Sequence, residues 1–131
     1  MHLSLTLLPE RYAICRFAPD AGTPDWAVGS FVSVTRTGKE LSVVCPAASV
    51  PPSVAACTDT GWHVFEVAGP LDFSQVGILA SLCTPLAEAN VPLFAVSTFD
   101  TDYLLVQETS LEAAVDALTA AGHQVHNPPR L

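Results

Sequence analysis

The apolar pattern of the second half of the chain restricts its possible folds more than any other feature. From Gly61, "WHVFEVAG" is a run of aromatic and β-branched residues that reads as a strand over residues 61–69. "QVGILASLCTPLAEAN" then places Val76, Leu79, Leu82 and Leu86 on one helical face, with Asp72 or Ser74 in the preceding loop available as a cap. Pro85 is expected to bend its last turns. "VPLFAVST" and "DYLLVQE" read as two further strands. "SLEAAVDALTAAG" has Ser110 as N-cap, Leu111, Val115 and Leu118 as its apolar stripe, and Gly122 as its stop, and "HQVH" closes the pattern as a short strand. The order is β-α-β-β-α-β over about 65 residues.

That order carries geometric consequences. A right-handed crossover makes the first two strands parallel and leaves space between them for the third, which runs antiparallel to both. The ends of strands 61–69 and 92–98 therefore share one edge of the sheet. Loop 70–75, the start of the first helix and the turn "STFDTD" should be neighbours.

The first half is richer in strands than in helices. "HLSLTLL" alternates Leu3, Leu5 and Leu7 with His2, Ser4 and Thr6, the period of a half-buried strand, and "YAICRF" follows after Pro9. "APDAGTPDWAVG" has room for one helical turn around Trp26. "FVSVTRT", Gly38-Lys39 and "ELSVVC" read as a β-hairpin, and "PAASVPPSVAACTDTG" as a short helix and a linker broken by Pro51 and Pro52.

Charge narrows the function. Thirteen acidic residues against five basic ones give a formal charge of −8, which repels phosphate backbones and anionic lipid, so neither nucleic acid nor a membrane is an expected partner. No apolar run approaches the ~18–20 residues of a bilayer span, and the Leu-rich start lacks the basic flank and cleavage site of a leader, which points to a cytoplasmic protein. Cys15, Cys45, Cys57 and Cys83 form no CxxC or CxxH pair and read as reduced thiols rather than disulfides or a zinc site. His123 and His126, i and i+3 in an extended segment, make no metal pair, and no cofactor or metal is expected.

Asp100 and Asp102 stand one residue apart between apolar stretches of a chain with only 14% charged residues. The helix start at residues 74–77 offers unpaired amides and the positive end of a dipole, which suit a carboxylate, and the two aspartates offer acceptors for an ammonium group. Together they match the two ends of a free amino acid. The same aspartates also suit an ordinary solvated turn, Gly77 also suits close packing, and Phe99 suits either core or a pocket wall. An Asp-x-Asp after an apolar strand also occurs in metal-dependent phosphotransfer, but that chemistry needs a nearby lysine. The single lysine, Lys39, lies in the hairpin of the other half, no Ser-His-Asp arrangement or phosphate loop is present, and no catalytic residue is assigned.

"VGILASLCTPLAEANVPLFAVSTFDTDYLLV" resembles the amino-acid-binding ACT domain, in the subtype of small bacterial tandem-ACT proteins and the CASTOR arginine sensors, with "STFDTDYLLV" and "PLAEA" as its most specific segments. The resemblance implies an α+β fold of tandem ferredoxin-like (βαββαβ) units, antiparallel sheets with helices on one face. A first, truncated unit would span residues 1–60 and a complete ACT domain residues 61–131. It implies a regulatory module without catalysis, binding a small molecule between two such units. Carried over by position, the ligand meets Gln75, Val76, Gly77 and Ile78, the turn at Thr98, Phe99, Asp100 and Asp102, and the strand start at Pro92 and Leu93. The sequence departs from the arginine-binding relatives at Gln75, where they carry an acidic residue. An edge strand free to pair, in a chain that is half apolar, points to a homodimer, and a ligand-free interaction scaffold is the rival reading.

Overall fold

The computed structural model of the protein describes residues 1–69, 71 and 76–127. Its elements are β1 (Ser4–Leu7), β2 (Tyr12–Phe17), β3 (Ser33–Arg36), β4 (Leu41–Pro46), β5 (Thr58–Val67), α1 (Ile78–Glu88), β6 (Phe94–Ser97), β7 (Asp102–Gln107), α2 (Leu111–Ala120) and β8 (Gln124–His126). Short 3-10 turns lie at Ala47–Ser49, Pro52–Cys57 and Glu108–Ser110. The contacts divide the chain into two compact units, one made of Met1–Pro9 with the chain from His63 onward, the other of Glu10–Trp62.

The larger unit contains the β-α-β-β-α-β series, with strands ordered β6-β7-β5-β1-β8. β7 fills the gap between β5 and β6, as the crossover argument requires. Leu5, Leu7, Phe65, Val67, Leu104 and Val106, alternate residues of their strands, share one buried cluster with Ile78, Leu82 and Leu86 of α1 and with Leu111, Ala114 and Leu118 of α2. Both helices therefore cover the same face of the sheet, and the fold is the α+β, ferredoxin-like arrangement expected.

β1 departs from the division at residue 60. It pairs antiparallel with β5, Leu5 opposite Val67, and parallel with β8, Leu5 opposite Val125, so it stands between the first and last strands of the series. Leu5 is fully buried there and Leu7 nearly so. The strand's apolar face matches the helix-covered side of this sheet, and that match draws the first nine residues into the larger unit.

The helices also differ in detail from the sequence reading. α1 begins at Ile78, which leaves Val76 outside it and 83% exposed, and its buried stripe is Ile78, Leu82 and Leu86. In α2 the stripe is Leu111, Ala114 and Leu118, with Val115 packed at its margin. Ser110 occupies the N-cap position without a side-chain capping bond. The Asp72 and Ser74 caps lie outside the described residues.

In the smaller unit β4 lies between β3 and β2, and β2 pairs on its other side with the first residues of β5. Cys15, Leu41, Val43 and Cys45 make its core, against which Phe17 and Trp26 pack, their rings edge to face at 6.1 Å. Trp26 sits in a turn closed by the Ala27 amide on the Pro24 carbonyl, not in a helix. The β3-β4 hairpin forms as read, and β5 begins at Thr58, so the expected linker ends earlier than its composition indicated.

Candidate functional site

A cavity of about 340 Å³ opens at the edge of the larger unit where β6 ends and α1 begins. Its lining joins the first turn of α1 (Gly77, Ile78, Leu79) to the β6-β7 turn (Ser97 through Asp102), with Leu71 between them. The helix start and the turn expected to be neighbours therefore meet, and of loop 70–75 the described residue, Leu71, meets them there.

Gly77 is the N-cap of α1 at φ 80° and ψ 6°, a left-handed conformation that costs a residue with a Cβ about 1–2 kcal/mol. A Cβ built at Gly77 would meet nothing within 4 Å, so its backbone faces open space. Glycine has no side-chain oxygen to cap the amides that follow. The first turn thus presents N–H groups and the positive end of the helix dipole to the cavity.

The opposite wall is the turn at residues 98–101. Ser97 pairs with Asp102 across the β6-β7 ladder, and the Ser97 hydroxyl donates to Asp102 Oδ1 at 2.6 Å. Asp102 lies on the same face of β7 as Leu104 and Val106, the face covered by α1. Burial, and secondarily the charge of Asp102, raise the Cys83 thiol above its ordinary value, which also places Asp102 beside α1. The Thr98 amide donates to the Thr101 carbonyl at 2.8 Å, and the Thr101 amide returns a bond to Thr98 Oγ1 at 3.3 Å.

Thr101 fastens this turn to the sheet. It is buried, and its hydroxyl donates to the Val67 carbonyl at the end of β5 at 2.6 Å. The Leu71 amide donates to the Asp100 carbonyl at 2.7 Å. Gly69 permits the approach, since a Cβ there would stand 3.0 Å from both the Asp100 carbonyl and Thr101 Cβ. Chemically, the cavity offers amide donors at one end and two carboxylates at the other, with no basic side chain among its described lining residues.

Of the residues singled out in the sequence, Gly77, Ile78, Thr98, Phe99, Asp100 and Asp102 line this cavity. Phe99 is 80% exposed at the tip of the turn, a rim residue rather than a core one. Val76 precedes the lining and points into solvent. Pro92 and Leu93 stand before the opposite end of β6, roughly 16 Å away at ~3.3 Å per strand residue, and Leu93 packs against the core. Gln75 lies outside the described residues. Sequence reasoning missed Leu71, Leu79, Ser97 and Thr101 as lining residues. Ser97 was legible only once the hairpin register was known, and Thr101 only once the turn was seen against β5.

Among the described residues no group of three or more His, Cys, Asp or Glu side chains is placed to hold a metal ion, and the four cysteines are free thiols. No described helix is long and apolar enough to cross a membrane.

Comparison with known proteins places residues 58–120 under a family model described as the ACT domain, and residues 10–53 under a separate model described as an N-terminal domain. The rat cytosolic arginine sensor for mTORC1 subunit 1 is 36% identical over 58 residues, and that stretch covers 44% of this chain but only 18% of the sensor. The crystal structure of protein Atu0741 from Agrobacterium tumefaciens superposes with a TM-score of 0.89 at 38% identity, covering 100% of this chain and 99% of that one. The regulatory subunit of aspartate kinase from Thermus thermophilus shares the fold, with a TM-score of 0.59 at 12% identity over 89% of this chain and 95% of that one.

Proposed function

Residues 58–120 match the ACT domain family, and from that premise we propose that the chain is a cytoplasmic regulatory module that binds a free amino acid without catalysing a reaction. One observation carries the reading: the amide-rich start of α1 and the Asp102 carboxylate face the same cavity. A zwitterion carries its carboxylate and ammonium on one carbon and engages both walls at once. Each charge-assisted hydrogen bond contributes about 1.5–3 kcal/mol, so two or three support micromolar to millimolar binding. Leu71, Ile78 and Leu79 supply an apolar wall for the side chain.

A ligand that binds only the folded state raises the melting temperature. A thermal-shift screen with each proteinogenic amino acid, at concentrations up to several times a millimolar dissociation constant, is expected to give a dose-dependent rise for at least one of them. A flat response to all of them would end the amino-acid reading.

The scaffold reading draws on β6, which among the described residues pairs with β7 alone and has no charged residue of its own to discourage association along its outer edge. We take the working form to be a homodimer in either case. Light scattering that gives the dimer mass, together with a flat ligand screen, would favour the scaffold.

A further inference from the structure

Pro85 lies inside α1 and has no amide hydrogen, so the helix cannot supply the bond that the Ser81 carbonyl, four residues earlier, would ordinarily accept. A buried carbonyl left this way would carry a desolvation penalty. The donor comes from elsewhere: His123, 4% exposed, brings its Nε2 to 2.9 Å from the Ser81 oxygen. The other ring nitrogen, Nδ1, accepts the Leu3 amide at 3.0 Å. These two bonds fix the tautomer, because Nδ1 must be bare to accept and Nε2 must hold the hydrogen to donate.

Ser81 is in turn tied to the cavity. Its amide donates to the Gly77 carbonyl and its hydroxyl to the Ile78 carbonyl, each at 2.8 Å. Both acceptors belong to residues that line the site. The connected series runs from the Leu3 amide through the imidazole to Ser81, and from Ser81 to Gly77 and Ile78. All of these groups lie within the larger unit.

We propose that His123 is a positioning residue for the cavity: its neutral imidazole replaces the helical bond lost at Pro85 and thereby holds the ligand-facing first turn of α1 in place. A proton added at Nδ1 converts that acceptor into a donor facing the Leu3 N–H, and the ring must leave one of its two partners. The first turn then loses its anchor, so acidification loosens the site. The elements packed around the ring carry their own titratable groups: the Met1 ammonium and His2 ahead of β1, Cys83 and Glu88 on α1, Glu112 and Asp116 on α2, and His126 on β8. Both hydrogen bonds of the His123 ring nevertheless go to backbone groups. The effect on affinity rests on the amino-acid reading, whereas the link from His123 to Gly77 does not.

The test uses the whole chain as wild type, His123→Gln, His123→Leu, Pro85→Ala and the Pro85→Ala/His123→Leu double variant. The Gly77 and Ile78 amide resonances are followed by NMR from about pH 8 to about pH 5, the span in which imidazoles titrate. In the wild type they are expected to move in step with the His123 ring protons, and in His123→Gln, which keeps a donor and an acceptor but does not titrate, to stay still. His123→Leu should weaken binding of the amino acid found by thermal shift about fivefold to tenfold, and adding Pro85→Ala should recover part of that loss because the alanine amide gives the Ser81 carbonyl a helical donor of its own. Gly77 and Ile78 resonances indifferent to both pH and His123→Gln would overturn the proposal. So would full affinity in a folded His123→Leu with a lowered melting temperature, because His123 would then serve stability alone. If His123→Leu does not fold, the comparison of wild type with His123→Gln decides. If no amino acid binds, the ligand reading fails and the two resonances still decide the link.

Discussion

Asp102 does two jobs that a substitution can separate. It receives the Ser97 hydroxyl and it places a negative charge in the cavity. Asparagine keeps an oxygen for Ser97 and removes the charge. Asp102→Asn is therefore expected to weaken amino-acid affinity by about tenfold or more, the loss of one charge-assisted bond, with little change in melting temperature. Calorimetric titration of wild type and variant measures this, and equal affinities would remove Asp102 from the site. Cys45 shows burial at the same scale. Enclosure in the core, and secondarily the neighbouring Cys15, push its thiol up from 9.0 to about 11. The unfolded chain releases that proton first, so the stability tied to the neutral thiol is intact below pH 9.0 and is lost as pH rises through about 11. Denaturant titrations across that window should show declining stability, and Cys45→Val should flatten the decline. A slope unchanged by the substitution would assign the alkaline loss to other groups.

At the scale of elements, α1 ends on a pair of bonds that a glycine usually closes. The Asn90 amide donates to the Ala87 carbonyl and the Val91 amide to the Leu86 carbonyl, with Asn90 left-handed at φ 59°. Val91 is buried beyond it and packs on the core, the apolar contact that accompanies this kind of stop. Asn90→Gly removes the steric cost of the left-handed position and is expected to stabilise the protein by about 0.5–1 kcal/mol, read as a shift of the denaturation midpoint at constant slope. A loss of stability would show that the Asn90 side chain contributes more than its backbone conformation costs. The helices were largely legible in the sequence because their apolar spacing is local. Their start was not. Val76 fits the stripe numerically, yet left-handed Gly77 begins the helix one residue too late to include it. Pro85 was legible as a disturbance, but its remedy was not, since the ring that answers it lies 42 residues from the Ser81 carbonyl it serves.

At the scale of the whole molecule, β1 is the element that the β-α-β-β-α-β order does not contain. By standing between β5 and β8 it gives both a partner, and Leu5 and Leu7 complete the core beneath the helices. A chain lacking residues 2–8 leaves β8 without its ladder and the Nδ1 atom of His123 without its donor. That variant is expected to lose cooperative unfolding and amide protection in β8, followed by hydrogen exchange. Retained protection at residues 124–126 would mean that β8 can pair with β5 directly. The alternation in "HLSLTLL" declared a strand with one apolar face and could not say which sheet it joins. What the sequence determined by itself was the kind and order of the elements in the second half and the edge at which the start of α1 meets the β6-β7 turn, because helix and strand periods act between near neighbours. The tertiary structure alone decided the insertion of β1, the fastening of the turn by Thr101, and the pairing of His123 with Ser81. Each of these depends on burial and hydrogen bonding between residues far apart in the chain, and the pattern of near neighbours carries no record of such distances.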